Sequence, residues 1–355
     1  MAHSTVIVVG AGIVGASIAY HLARQGAQVT VLEQSIAAGG VTGRSFAWIN
    51  TADAEPGAIQ ALRALALTDY RRLEHELPDL HINWSGALCY NAAALAATSA
   101  RDNLSPGPSL QWLDQAQVAQ LEPNLITPPQ RARYAPAEGS LDPVAATHAL
   151  LDGARAHGAE VLEQTPVLGL RLDGGRVIGV DTANGAYPAD NVVLAAGCAT
   201  PALLAPLGLQ LPVQASPSIL IRLDAPPGLV KTLISNSEME IREAADGSLL
   251  MAEDYIAASG AQGPDALAQA ALLSVRQSLR GAEAVTLRSV EVGQRPMPSD
   301  RLPVIGPSAG HPGLYLAVMH PGVILAATVG RLVSEELIHG QTCTALAPCR
   351  PSRFR

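Results

Sequence analysis

Short apolar runs alternate with longer amphipathic stretches along this chain, and the change of period marks the elements. Val6–Val9 is a β-branched run that suits a strand buried on both faces. A glycine-rich turn, Gly10–Gly15, leads into Ala16–Gln25, whose composition favours helix and which Gly26 ends. Val29–Leu32 is a second β run that closes on Glu33. Strand, turn, helix and strand in this order predict a βαβ unit. Beyond it the pattern predicts a helix over Pro56–Leu77, stopping before Pro78, and a strand over Ile82–Tyr90. Ser105-Pro106-Gly107-Pro108 reads as loop, Gln115–Leu121 as a short helix and Pro128-Pro129 as a break. Pro143–His157 is a helix with an Ala-rich face, capped by Gly158. Short strands follow at Glu160–Leu162, Val167–Leu172 and Val177–Thr182, the last two joined by a turn at Asp173-Gly174-Gly175. Asn191–Ala196 is an apolar β run ending in Gly197. Ser218–Leu223, Glu238–Glu243 and Ser248–Ala252 predict a small antiparallel sheet. Pro264–Leu279 is helical, Val285–Val292 and Leu314–Val318 are strands, and Val323–His339 is the last helix.

At 355 residues the chain has room for about two domains. Charged residues are only 15% and hydrophobic ones 48%, which excludes a disordered chain. A net charge of −8, with Lys231 the single lysine, leaves no basic stripe to neutralise phosphates, so nucleic acid is not an expected partner. Asn191–Ile221 and Leu302–Gly330 lack Asp, Glu, Lys and Arg, but prolines and glycines cut both, so neither offers the ~20 helical residues that span a bilayer. No basic n-region precedes the first strand, and the four cysteines have neither disulfide-scaffold nor zinc spacing. Free thiols in a reducing cytoplasm are expected, with Cys343 and Cys349 exposed and Cys198 a small apolar filler.

The chemistry begins at Gly10, Gly12 and Gly15, a GxGxxG pattern between strand and helix. The first glycine permits the tight turn, the second lets a pyrophosphate approach the backbone, and the third lets helix and strand pack closely. The helix N-terminus then offers N–H groups and the positive end of its dipole. Glu33 follows at the place where an acid accepts both ribose hydroxyls. These residues predict a dinucleotide site but do not separate FAD from NAD.

Several further segments occur in a telling order. They are Gly10–Gln34, Gly43-Arg44-Ser45-Phe46-Ala47-Trp48, Val192–Gly197, Arg295-Pro296-Met297-Pro298-Ser299-Asp300, Gly313–Glu336 and the tail Arg350–Phe354. Together they resemble the D-amino acid oxidase and glycine/sarcosine oxidase family of FAD-dependent amine oxidoreductases. The resemblance spans nearly the whole chain. It implies an α/β (α+β) architecture, an FAD-binding Rossmann-like domain with an interleaved antiparallel-sheet substrate domain. The first would take 1–78, 137–210 and 288–355, the second 79–136 and 211–287.

The resemblance also implies roles. Gly10, Gly12, Ile13, Val14, Gly15, Glu33 and Gln34 would hold the nucleotide. Gly43, Arg44, Ser45 and Ala47 would sit beside the flavin and ribityl chain. Val167 would hold the adenine through its backbone, and Ala196 and Gly197 would approach the FAD from the other side. Pro321, Gly322, Val323 and Ile324 would open the last helix beneath the flavin pyrimidine ring, where a helix N-terminus stabilises negative charge. Monomeric sarcosine oxidases tether their flavin through a cysteine near the string that holds Arg295, and they carry a substrate-binding lysine where Ile324 stands. Neither residue is present, so the FAD is expected to be non-covalent.

The resemblance assigns the substrate carboxylate to Arg295, whose other reading is a structural ion pair at the domain junction. His320 could polarise a substrate or flavin atom or be a satisfied structural residue. Tyr255 could bond a substrate carboxylate or amine or be a core tyrosine. The expected reaction is oxidation of an amine or amino acid of glycine, D-amino acid, N-methyl amino acid or opine type. A hydride passes from the carbon next to nitrogen to flavin N5, and the imine is hydrolysed. Oxygen or a quinone-type compound would be the electron acceptor. Two other readings stay open. One is the FAD subunit of a hetero-oligomeric opine- or hydroxyproline-type dehydrogenase that needs a partner subunit. The other is an NAD-dependent dehydrogenase, which leaves the C-terminal helix unexplained.

Overall fold

A computed structural model describes residues 4–51, 57–91, 110–254 and 263–354. Its first layer is a six-stranded sheet in the order Val304–Pro307, Leu314–Val318, Asn191–Leu194, Thr5–Val9, Gln28–Leu32, Glu160–Leu162. All neighbours run parallel except the pair Val304–Pro307 and Leu314–Val318. The central strands are almost wholly apolar because helices or loops cover both faces. Val9 is in register with Leu32 on one side and Leu194 on the other, so three parallel strands end level. Ligands bind in such sheets outside the carboxyl ends.

Three helices pack on one face of this sheet: the first helix Ile13–Arg24, the Ala-rich helix Pro143–Ala156 and the last helix Gly322–His339. The second helix, Gln60–Glu76, lies against the last one. A Cβ on Gly330 would stand 2.2 Å from Ser17 Oγ and 2.7 Å from Ser17 O, so the first and last helices cross at glycine-to-backbone distance. Asp69 accepts from Thr328 Oγ1 at 2.8 Å and from Arg331 Nε at 2.8 Å. Burial alone would raise the Asp69 pKa, but the Arg331 bonds override it and hold the carboxyl below its usual range. Tyr70 donates to the Val323 carbonyl and pins the last helix at its first turn. His21 is buried between these helices, with Nδ1 2.8 Å from Ser17 O and Nε2 2.8 Å from Arg72 Nη2, so its ring is neutral: Nδ1–H donates and Nε2 accepts.

The second layer is an eight-stranded sheet, from Thr286–Pro298 through Val213–Asp224, Leu249–Asp254, Glu240–Glu243, Leu233–Ser235, Ala87–Cys89 and Arg131–Ala135 to Gln111–Asp114. It is far larger than the predicted small sheet, and one pair, Leu233–Ser235 with Ala87–Cys89, is parallel. Two strands outrun their predicted ends across prolines. Among the described residues Thr286–Pro298 is an edge strand, where a missing N–H is tolerated, and Val213–Asp224 runs on through Pro217, paired with Thr286–Pro298 from Val213 to Asp224. The predicted strand Ile82–Tyr90 is two, Ile82–Asn83 and Ala87–Cys89, in different sheets on either side of Gly86 at φ +78°. Two three-stranded sheets complete the structure. The start of the predicted helix at Pro56 and the predicted loop at 105–108 lie outside the described residues. Among the described residues, no helix is long and apolar enough to cross a membrane. Cys349 is fully buried, not exposed as expected, because the C-terminal turns fold back on the sheet, where Arg350 pairs with Glu336 at 2.8 Å.

Two outcomes test this packing. In an unhindered helix Gly→Ala stabilises by roughly 0.5–1 kcal/mol. At position 330 the added methyl meets Ser17, so Gly330→Ala should instead destabilise by about 1–3 kcal/mol in urea titrations. Burial, and then the Arg72 charge, lower His21 to about 4 from 6.5, against the pull of its Ser17 bond. The unfolded chain therefore takes up that proton first. Stability should be complete above pH 6.5 and decline as pH falls toward about 4. His21→Gln should flatten the slope of unfolding free energy against pH by up to about 1.4 kcal/mol per pH unit.

Candidate active site

A cleft of about 1150 Å³ opens at the carboxyl ends of the parallel strands and is walled on its other side by the eight-stranded sheet. The GxGxxG turn forms one end. Gly10 has φ +103°, and a Cβ there would sit 2.7 Å from Ala195 O. A Cβ on Gly15 would sit 2.0 Å from Gly10 O, so Gly15 serves the helix-to-strand contact and does not line the cleft. Gly12, Ile13 and Val14 do line it. The first helix has Gly12 at its N-cap and no side-chain cap, so its N-terminus faces the cleft, with Ile13 N held by Thr42 Oγ1 at 3.2 Å. Glu33 accepts from Ala11 N at 2.8 Å and Ser35 N at 2.9 Å, which ties the second strand's end to the turn. These bonds leave the carboxylate with lone pairs to spare.

The turn Val41–Arg44 forms the floor beside it. Arg44 reaches back to Gly39 O at 2.7 Å and Gly40 O at 2.9 Å and so braces its own loop. Arg44, Ser45 and Ala47 line the cleft; Gly43 does not, because it turns toward Val144 of the Ala-rich helix. Ala47 is buried at φ +58°. Gln34 and Val167 line the nucleotide end, and Ala196 and Gly197 the opposite wall. Cys198 is exposed on that wall with Sγ 3.4 Å from Gln294 O, which corrects the expectation of a buried filler.

Pro321, Gly322, Val323 and Ile324 line the cleft too. The last helix also lacks a side-chain cap, with Pro321 at its N-cap and no acidic residue in its first turn. Its start lies close to that of the first helix, a Cβ on Gly322 standing 3.6 Å from Val14 Cγ2, so two helix N-termini face one cleft and their field favours negative charge there. His320 and Arg295 are also lining residues. Burial, and then the charges of Arg295 and Arg63, lower His320 to about 4, while Asp254 pulls the other way. His320 is therefore neutral near pH 7 and can bond but not carry charge. Arg295 pairs with Asp254 Oδ1 at 2.8 Å and donates to Ser216 Oγ at 3.1 Å. Tyr255 lies outside the described residues. Sequence reasoning missed Thr42, Asn50, Arg63, Glu240, Glu253 and Asp254, which line the cleft from loops, a helix and strands remote in sequence. None of them belongs to a motif: Arg63 lies in a predicted helix, Glu240 in a predicted strand, and Glu253 and Asp254 just after one. Lys231 is not among the lining residues; its backbone N–H binds the buried Glu122 instead.

A long cleft with a glycine turn, a ribose-type acid and two positive helix ends fits a flavin dinucleotide. The profile of DAO, FAD dependent oxidoreductase, matches residues 5–336. The chain belongs to this family. Its cofactor is FAD and it is an oxidoreductase. It is similar to the glycine oxidase of Bacillus licheniformis, 27% identical over 94% of this chain and 92% of the relative. Over 55% of this chain and 46% of the relative it is 34% identical to a D-amino acid dehydrogenase of Cereibacter sphaeroides. Among solved structures, glycine oxidase from Bacillus cereus superposes with a TM-score of 0.87 at 21% identity over 98% of both chains. L-amino acid deaminase from Proteus myxofaciens gives 0.89 at 19%, over 100% of this chain and 94% of that one. Both share the flavoenzyme's fold.

The Glu33 geometry can be tested through FAD retention. Glu33→Ala should weaken FAD binding about 10- to 100-fold, the value of hydrogen bonds to a charged acceptor, as read from flavin fluorescence released on dilution. Glu33→Gln keeps one acceptor and should lose less.

Proposed function

We propose that this flavoenzyme oxidises a small amino acid or related amine at the carbon next to nitrogen, with Arg295 as carboxylate anchor. The observation that carries this reading is Arg295 on the cleft wall, close enough to His320 at the uncapped start of the last helix to lower its pKa. The glycine oxidase relatives, matched over nearly their full length, support the substrate class. Bound FAD supplies a two-electron acceptor for the hydride that leaves the substrate carbon. Everything else falls to the chain. Gly10, Gly12, Ile13 and Val14 take the pyrophosphate, Glu33 the ribose and Val167 the adenine. Gly322, Val323 and Ile324 offer N–H groups where negative charge gathers on the ring system. Arg295 would fix the substrate's carboxylate and so orient its Cα–H, and neutral His320 would contribute a hydrogen bond to an amine that binds neutral, with its lone pair free to form the imine. The oxidised substrate is an imine, which water hydrolyses to an oxo acid and ammonia or an amine.

In this reading residues 1–78, 137–210 and 288–355 are the FAD-binding part, and 79–136 and 211–287 the substrate-binding part. Arg295 comes from the end of a strand, Thr286–Pro298, that runs between the two. The FAD is held without a covalent bond. Oxygen or a quinone-type compound takes the electrons. The four cysteines, none of them in a disulfide, suit a reducing cytoplasm.

Anaerobic mixing with D- and L-amino acids, N-methyl amino acids and opines, watched through bleaching of the flavin band, tests the substrate class. Arg295→Ala should keep its FAD and lower kcat/KM for a carboxylate substrate by roughly 10²-fold or more. An amine without the carboxylate should lose much less. Equal losses for both would assign Arg295 to the fold.

A further inference from the structure

The anchor arginine is already holding a carboxylate. Arg295 is paired in register with Ser216 across one edge of Val213–Asp224, and Asp254 with Ser218 across the other. The guanidinium therefore reaches over the middle strand to its far neighbour. Its Nη2 lies 2.8 Å from Asp254 Oδ1 in an ion pair and donates to Ser216 Oγ at 3.1 Å and the Pro217 carbonyl at 3.3 Å. Nε points at the Ser216 carbonyl at 3.4 Å. Among the described residues, Nη1 has no acceptor. A carboxylate arriving in the cleft can take one N–H bond from Nη1. It cannot take the parallel pair that makes an arginine a strong anchor until Nη2 is released.

The two partners differ in how firmly they are held. The Arg295 side chain is 22% exposed and fixed to the backbone of Val213–Asp224, whereas Asp254 is 77% exposed. An exposed carboxylate is cheaply returned to water, and an ion pair of this kind is weak. We propose that Asp254 is a specificity-determining residue that occupies the substrate-carboxylate position on Arg295 and must be displaced for two-point binding. The competition is intramolecular and constant. It sets a threshold that a carboxylate gripping both Nη1 and Nη2 passes and a weaker acceptor, such as an amide or ester, does not. The inference rests on Arg295 being the anchor.

The test is a titration of the FAD-loaded enzyme with benzoate, a carboxylate with no amine, followed by calorimetry and by the shift in the flavin spectrum. Asp254→Asn and Asp254→Ala should bind benzoate about three- to tenfold tighter than the natural enzyme, since an exposed ion pair and a like-charge repulsion are removed together. Arg295→Ala should bind it poorly, and adding Asp254→Asn to Arg295→Ala should recover nothing. With an oxidised substrate, Asp254→Asn should lower KM. Unchanged or weaker benzoate binding in Asp254→Asn, alongside the normal loss in Arg295→Ala, would overturn the competition alone. That outcome would make Asp254 a support for Arg295 or an acceptor for a substrate cation. Undiminished binding in Arg295→Ala would overturn the anchor itself, and the competition with it.

Discussion

The crossing of the first and last helices at Ser17 and Gly330 is the contact on which the rest of the structure depends. Only a residue without a side chain allows these backbones so close. Because they meet there, two helices separated by some three hundred residues of sequence present their N-termini to one cleft. Asp69, Arg331, Thr328 and Tyr70 then lock the second helix to the last one just behind that opening. Polar groups this deep are costly unless satisfied, and here each carboxylate oxygen of Asp69 has a donor. The network holds the floor of the site rigid.

The electrostatics follow from that placement. Uncapped helix ends and Arg295 make the cleft receptive to negative charge, while burial keeps His320 and His21 neutral. The acids nearby are handled differently. Glu33 braces the glycine turn and keeps lone pairs to spare, Asp254 is paired with Arg295, and Glu253 is half-buried with its carboxyl raised by burial and then by Asp254. A flavin dinucleotide and a small carboxylate thus meet a wall whose positive groups are fixed to backbone and whose negative group at the anchor is the exposed one.

The sequence by itself determined the βαβ start, the glycine turn, Glu33 and the apolar strands of the parallel sheet. These are local or follow from burial on both faces, and period and composition carry them. It also brought out the family, through segments spaced along the chain, and with it FAD. The cleft contains most of the residues named from sequence. Gly15 and Gly43 stand outside it because their work is packing, which a motif does not distinguish from contact with a ligand.

Only the tertiary structure decided the rest. The eight-stranded sheet joins strands far apart in the chain, and prolines within them read as breaks until the edge position shows which N–H is dispensable. Cys349 reads as a tail thiol until the tail folds back. Arg63 and Asp254 carry no local signal, since a lone charge on a helix or at a strand end looks like a solvated face. The pairing of Arg295 with Asp254 arises because sheet register sets two residues of opposite charge on either side of one strand. Register here is a property of two ladders of hydrogen bonds among three strands, and no single segment of sequence contains it.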